Sequence, residues 1–551
     1  MSGPRHGHFR LLSTVSCCLI AFSTLAAAQA SRTTTLDFAT GSQFEDYLRV
    51  LQIEGLEPLR PWSIRGFSPR TISDFAMADS TGPWALRQNF RNAPIEAASV
   101  GIGATFNSAY PYGANDGPVW AGRGLTLIAN AGIVGHAGPL SFTLSPKAFR
   151  ASNTAFELLS NKQSGLLAYS NGQFPYGVDL PQRFGNGAYS RVDPDASSIR
   201  FDSRFASMGI STANEWIGPA TEYPFLLGDN APGFPHIFVG TGDDSWNLWF
   251  ARLHARVMWG KLYQSDYSSV SGPTHYESPS NPGTVRLTAS AQFVLVPRGV
   301  PGLELGFGRF LHVPYPPGGP DQGFWKKPFK VFFLKNEYAR GDVLGIDNQL
   351  ASAYFRWVFP HSGFEVYGER GYEDQFYDLR EFLNDPDHDR SYLIGFQKTF
   401  RKTLTGLDVL KFEAINYQLS TLARPRPGEG AIYLHVGLRQ GHTNRGQLLG
   451  ASAGVNAAAA SVIEWSRYST VGRTSWFLRR ILRAEEGDYY LTGVVNPRAS
   501  DVLIAAEVER MRFGRYADFG AKIGVMQDFN RNFAKDVPNL NLQITSRLHA
   551  R

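Results

Sequence analysis

A glycan offers C–H faces and hydroxyls, so a protein that recognises one needs flat rings beside dense hydrogen-bonding groups. The stretch "STANEWIGPA" supplies amide, carboxylate and ring together in Asn214, Glu215 and Trp216, with Asn230 nearby. "GYEDQFYDLR" offers similar chemistry in Tyr372, Asp374, Tyr377 and Arg380. Arg445 in "HTNRGQ" and Arg356 in "YFRWVF" carry guanidinium forks. Those forks suit carboxylates, either internal ones such as Glu365 and Glu369 or those of an acidic polysaccharide. Each candidate has a plainer role. Gly218-Pro219 and Pro232-Gly233-Phe234-Pro235 are turn signals, so Trp216 and Asn230 are expected to serve loop packing before sugar contact. The residues after Glu369 weigh evenly between the two roles, because long loops often carry binding. Ion pairing is the expected role of the two arginines.

Catalysis has thinner support. Glu507 and Glu509 in "AAEVERM" fall on one strand face about 7 Å apart, inside the ~5–9.5 Å that glycoside hydrolysis uses. Same-face carboxylates are common in polar barrel interiors. Beyond residue 30 there is no HExxH or phosphate-loop motif. His435 and His442 lack companions at metal-ligand spacing, so no metal and no cofactor are expected. Cys17 and Cys18 are the only cysteines. Both lie in "MSGPRHGHFRLLSTVSCCLIAFSTLAAAQA", where Arg5 and Arg10 precede an apolar run and small residues close it. This reads as a signal peptide over 1–30, cleaved after 28 or 30, which leaves a mature chain without thiols.

The elements that must position these groups emerge from periodicity. Residues 31–95 hold a small helical element. Ser42 and Glu45 have capping-box spacing, Phe44, Tyr47, Leu48 and Leu51 recur at helical intervals, and Ser68-Pro69 can start a second helix. It is too poor in apolar residues to stand alone and must pack on the rest of the chain. From about residue 97 the period becomes two. In "VRLTASAQFVLVPRGVPGLELGFG", Leu287, Ala289, Ala291, Phe293 and Leu295 alternate with Thr288, Ser290 and Gln292. "LASAYFRWVF", "RYADFGAKIGVMQDF" and "VPNLNLQITSRLHAR" alternate in the same way. Short turns alternate with long inserts, placed at 146–195, 264–283, 312–349, 370–390 and 476–500. That asymmetry implies an all-β transmembrane antiparallel β-barrel over 96–551. About 25 residues per strand and loop give about 18 strands. The oily face meets outer-membrane lipid and the polar face a wet or loop-filled lumen, with the inserts at 146–195 and 312–349 long enough to plug it.

The formal charge of +6 falls to about +4 once Arg5 and Arg10 leave, and the basic residues are scattered. Nothing supports a nucleic-acid partner.

Five blocks carry a resemblance to the Wzi-like capsule assembly family: "NDGPVWAGRGL" (Asn115–Leu125), "GISTANEWIGPATEYPFLLGDNAPGFPHIFVGT" (Gly209–Thr241), "FEVYGERGYED" (Phe364–Asp374), "PDHDRSYLIGFQ" (Pro386–Gln397) and "RQGHTNRGQLLGASAG" (Arg439–Gly454). The early "YLRVLQIEGLEPLRPWSIRGFSPR" is similar to its N-terminal region. The resemblance implies a barrel of about 18 strands with a small periplasmic helical element. It also implies a monomeric outer-membrane lectin that holds capsular or extracellular polysaccharide at the cell surface, alongside other polysaccharide export proteins. The chain departs from outer-membrane custom by ending "RLHAR" rather than on an aromatic residue. A diffusion porin and a glycan-degrading enzyme remain the alternatives.

Overall fold

A computed structural model describes residues 34–549 apart from 79–81, 85–93, 268–284, 316–317, 333–347, 374–379, 381–382, 384–389, 404, 419–431, 436–437 and 486–499. The expected signal peptide, Asp374 and Tyr377 lie outside the described residues. Alternating sequence becomes one sheet of 23 segments. Ile95–Ala97 and Val100–Asn107 are a single strand with a two-residue break, since they pair with Ile133–Ala137 and Gly124–Asn130 in turn. Gly124–Asn130 likewise continues as Ile133–Ala137, Leu140–Leu144 as Lys147–Ala151, and Tyr189–Asp193 as Ser198–Asp202. Trp246–Asn247 is a short return on Ala251–Tyr263.

Counted as continuous, the described strands number eighteen, with every neighbouring pair antiparallel. The last, Lys535–Leu548, pairs with the first from Val100↔Leu548 to Asn107↔Asn541. The ring is therefore closed. Closure satisfies backbone groups that hydrocarbon cannot and leaves no sheet edge to aggregate.

The two faces sort as the alternation requires. Ile523, Val525 and Ile544 point outward at 49–63% exposure, while Asp518, Asn539 and Asn541 on the same two strands are buried inward. No helix among the described residues is long and apolar enough to cross a membrane. The connections at one end are short, and Gly363 shows why they can be. Its φ of 58° closes the Pro360–Ser362 turn in the left-handed region, where a side chain would be strained.

The placement of the long inserts departs from expectation. Strand Gly472–Glu485 takes the start of 476–500, so Arg479 and Arg483 are not loop residues but lumen residues with partners. Strands Lys147–Ala151 and Tyr189–Asp193 take both ends of 146–195, and strand Phe364–Glu373 takes the start of 370–390. Between strands Leu303–Pro314 and Asn348–Phe359, the described residues of 312–349 do not enter the lumen. Gln322–Lys326 and Lys327–Phe332 fold back over the outer wall, where Phe324 packs on Leu287, Ala289 and Val313. Leu287 and Ala289 therefore meet protein rather than lipid, a correction forced by two aromatic rings: Trp325 and Phe329 lie 5.8 and 6.2 Å from Trp259.

The N-terminal helices form as their caps dictate. Helix α1 is Gln43–Ile53, with the Ser42 hydroxyl accepting from Glu45 N, and α2 is Pro69–Ala78, with the Ser68 hydroxyl accepting from Thr71 N. They sit within the ring at its short-turn end. Phe44, Tyr47, Leu48 and Trp84 pack against the inward residues Val409, Tyr468 and Met511. Arg49 donates to Glu365 at 2.6 and 3.0 Å, and Arg356 joins Glu365 to Glu304 at 2.6 and 2.5 Å. Glu304 also accepts the backbone N–H of Trp62 and Ser63. Arg356 thus pairs inside the barrel as its sequence position implied.

Candidate carbohydrate site in the lumen

Two long connections turn inward at the other end. Residues 212–235 and 432–458 supply Ile217, Phe225, Leu226, Phe234, Tyr433 and Leu449 to an apolar core against inward wall residues such as Phe310, Tyr354 and Tyr417. They fill the lumen together with part of 146–195, as expected, since Val178 joins the same core with Phe174 and Leu180 packed against it; the described residues 315–332 do not take part. The two connections are fixed by hydrogen bonds as well as by burial. Arg286 donates to the carbonyls of Gly441 and Thr443, both at 2.6 Å. His312 and His442 share a hydrogen bond of 2.8 Å, and His442 Nε2 reaches the Leu226 carbonyl at 2.6 Å. The second contact requires a proton on Nε2, so Nδ1 of His442 accepts from His312. His442 is neutral. Burial depresses its pKa to about 3.

Between this packed region, α1 and the strands from 459 to 548 lies a cavity of about 650 Å³. One side is lined by paired charges. Arg479 bridges Glu222 and Glu507 at 2.7 and 2.9 Å, Lys522 adds to Glu507 at 3.1 Å, and Arg473 holds Glu509 at 2.9 Å. The other side carries amides and rings, among them Asn115, Trp120, Gln173, Gln182 and Gln447. Trp120 is held edge-on to Phe184 at 5.1 Å, so the ring is rigid before any ligand arrives. Rigid rings beside amides that present both donors and acceptors match the C–H faces and hydroxyls of sugars.

Trp216 and Asn230 both line this cavity. Trp216 is 3% exposed, its indole N–H donates to the Ala220 carbonyl, and its ring carries Arg65 at 4.4 Å. Asn230 donates to the Leu448 carbonyl. Asn214 donates to the carbonyls of Gly228 and Ala231 and holds the connection's own backbone. Burial alone would raise the Glu215 carboxyl, but Arg256 at 2.5 Å and His236 at 3.1 Å hold it down at about 2. Glu215 is thus an ionised anchor.

The remaining candidates are scattered. Tyr372 belongs to strand Phe364–Glu373 on its outward face, alternating with buried Gly371 and Glu373, and Arg370 lies 5.0 Å over its ring. It is a wall residue, not a loop residue. Arg380 is exposed. Arg445 pairs with Asp193 at 3.5 Å, not with Glu365 or Glu369, because its backbone at φ 50° turns toward the Tyr189–Asp193 strand. Trp120, Gln173 and Gln182 had no signal at the level of spacing. Only the closure of the ring brings 108–123 and 152–188 to one cavity.

Asp116 also lines the cavity, and burial raises its carboxyl to about 6 against the pull of Lys522 and Lys147. A carboxyl raised on folding binds its proton more tightly in the native state. Stability from this group is therefore present at low pH and is lost as pH rises from about 4 to about 6. Asp116→Asn is expected to stabilise the 111–121 connection by about 2–3 kcal/mol at pH 7.5 and to flatten its pH dependence. Amide exchange of 111–121 in both proteins at pH 5 and 7.5 measures this.

No protein-family model matches the chain, and no curated protein sequence matches it. Among solved structures, Wzi, an outer-membrane protein involved in group 1 capsule assembly in Escherichia coli and a carbohydrate-binding β-barrel, superposes with a TM-score of 0.60 at 12% identity, covering 93% of this chain and 99% of that one. Acinetobacter baumannii OccAB3 aligns at a TM-score of 0.39 and 9% identity over 83% of this chain and 100% of that one. A mutant of the Rh. blastica porin aligns at 0.33 and 9% over 82% and 100%. With its ring of eighteen described strands, its helices at the short-turn end and its loop-filled lumen, the chain has the fold of Wzi, an outer-membrane β-barrel.

Proposed function

We propose that the protein is a non-catalytic outer-membrane lectin that binds capsular or extracellular polysaccharide and attaches or organises it at the cell surface. The long connections face outward, α1 and α2 face the periplasm, and other polysaccharide export proteins are its functional neighbours. The observation that carries this reading is the amide-and-aromatic cavity among long connections that otherwise fill the lumen. A diffusion porin needs the opposite, an open constriction. The similarity of fold to a carbohydrate-binding barrel supports the same reading. Each of Glu507 and Glu509 is bound to a cation, which does not favour a general acid and base.

The test is a polysaccharide-binding assay on the full chain in detergent beside single-channel recording. Binding without conductance and without release of reducing sugar is the expected result. Trp120→Ala should weaken binding roughly threefold to tenfold by removing a stacking face. Unchanged binding in this variant and in Asn230→Ala would move the site elsewhere. Open-channel current without binding would make the protein a porin.

A further inference from the structure

The short-turn end holds a second pocket that the lectin reading does not use. It is a cavity of about 510 Å³ between residues 58–71 and the inward faces of Ser198–Asp202, Ala206–Ser211 and Ala251–Tyr263. A neighbouring cavity of about 380 Å³ shares Arg60 and Arg252 with it. The charges here divide into two groups. Arg200 is bound by Asp202 at 2.7 Å, Arg65 by Glu45 at 3.1 Å and Arg256 by Glu215 at 2.5 Å. Asp243 accepts from Ser68 and Thr71. Arg60 and Arg252 have no carboxylate partner among the described residues. Arg60 stands over the Phe75 ring at 4.9 Å, and its Nε is buried with no acceptor. His254, between Arg252 and Arg256 on the same inward face, leaves Nε2 buried and without a partner as well.

Buried nitrogens without acceptors carry a desolvation cost that an anionic ligand would relieve. Guanidinium forks match planar carboxylates, and Ser207, Ser245 and Asn247 on the same wall supply the donors and acceptors that sugar hydroxyls need. The volume lies within the range of small-ligand pockets. We infer that the short-turn mouth is a binding site for an acidic sugar, with Arg60 and Arg252 clamping its carboxylate. The site opens at the short-turn mouth, shares only Arg65 with the lining of the lumen cavity, and does not depend on the function proposed for that cavity.

Phenylglyoxal labelling of arginines in the full chain in detergent, read residue by residue by mass spectrometry, tests the assignment. Trigalacturonate is the acidic probe, maltotriose the neutral one and inorganic phosphate the non-sugar anion. Trigalacturonate should slow labelling of Arg60 and Arg252 by about fivefold or more and maltotriose should not, as expected where charge-assisted bonds dominate. Binding of trigalacturonate should fall by about tenfold or more in the double variant Arg60→Gln, Arg252→Gln. Arg515→Gln, at an exposed arginine that lines neither cavity, should bind as wild type. Equal labelling with and without trigalacturonate overturns the inference. So does equal protection by maltotriose, or protection by phosphate alone. The wild-type labelling stands whether or not the double variant folds, and Trp120→Ala should leave it unchanged.

Discussion

Glu365→Ala is expected to release the N-terminal helices from the barrel while leaving the strands paired. Glu365 is fully buried and accepts from Arg49 on α1, from Arg356 on the wall and from Gln397. Removing it takes a carboxylate from two buried guanidiniums. Arg356 keeps Glu304, but Arg49 has no second carboxylate within ion-pair distance among the described residues. Breaking a buried pair by deleting one partner costs about 3–5 kcal/mol, more than surface pairs contribute. The penalty falls on the seating of α1, because the wall is held independently by its own ladder. Amide exchange should therefore rise across 43–53 and stay low across 348–373, and limited proteolysis should cut first before residue 95. Exchange that rose equally in both regions would mean that helices and wall form one cooperative unit. Glu365→Gln, which keeps an acceptor, should show a smaller effect in the same direction.

Excision of residues 212–235 is expected to open the lumen. Ser211 and His236 are register partners, so an Asn-Gly turn can join them without moving either strand. The excised segment carries Ile217, Ala220, Tyr223, Phe225, Leu226, Leu227 and Phe234, all buried in the lumen core. Its loss also deprives His442 of the Leu226 carbonyl and Glu413 of the Thr221, Glu222 and Tyr223 N–H donors. Glu413 would keep the Tyr367 hydroxyl as a donor in an enlarged bore. Conductance in planar bilayers should rise by about tenfold or more, with preference shifted toward anions, since the excised segment carries Glu215, Glu222 and Asp229 with no lysine or arginine and leaves Arg256 without its carboxylate. An unchanged current would show that 432–458 and α1 alone suffice to close the passage. The outer wall should be indifferent to the excision, because its outward residues contact none of the removed ones.

Loops that must project recognition groups usually cost conformational entropy on binding. Here the connection 212–235 is locked to the wall by Glu215 with Arg256, by Glu413 with three backbone donors and by Arg65 with the Ala220 carbonyl. Cavity-lining amides such as Asn230 are therefore held in place by the connection's own contacts.

The alternation of Leu287 to Leu295 against Thr288 to Gln292, and of Phe519 to Val525 against Asp518 and Lys522, established from sequence alone that the chain forms half-oily strands. Chain length at about 25 residues per strand and loop set their approximate number, and the two-residue period with a lipid-facing stripe left each strand only one orientation. Ser42 and Ser68 likewise declared both helices through their caps. Sequence also made ion pairing the expected role of Arg356, and the structure gives it Glu365 and Glu304 as partners.

Which long connection enters the lumen lay beyond it. Residues 212–235 and 312–349 both carry aromatics and prolines, yet one packs inside and the other lies on the outer wall. That choice depends on the bore left once eighteen strands close and on which wall residues face it, quantities that belong to no single segment. The cavity is decided the same way. Asn115, Gln173, Asn230 and Gln447 are far apart along the chain and meet only because closure of the ring brings their connections to one end.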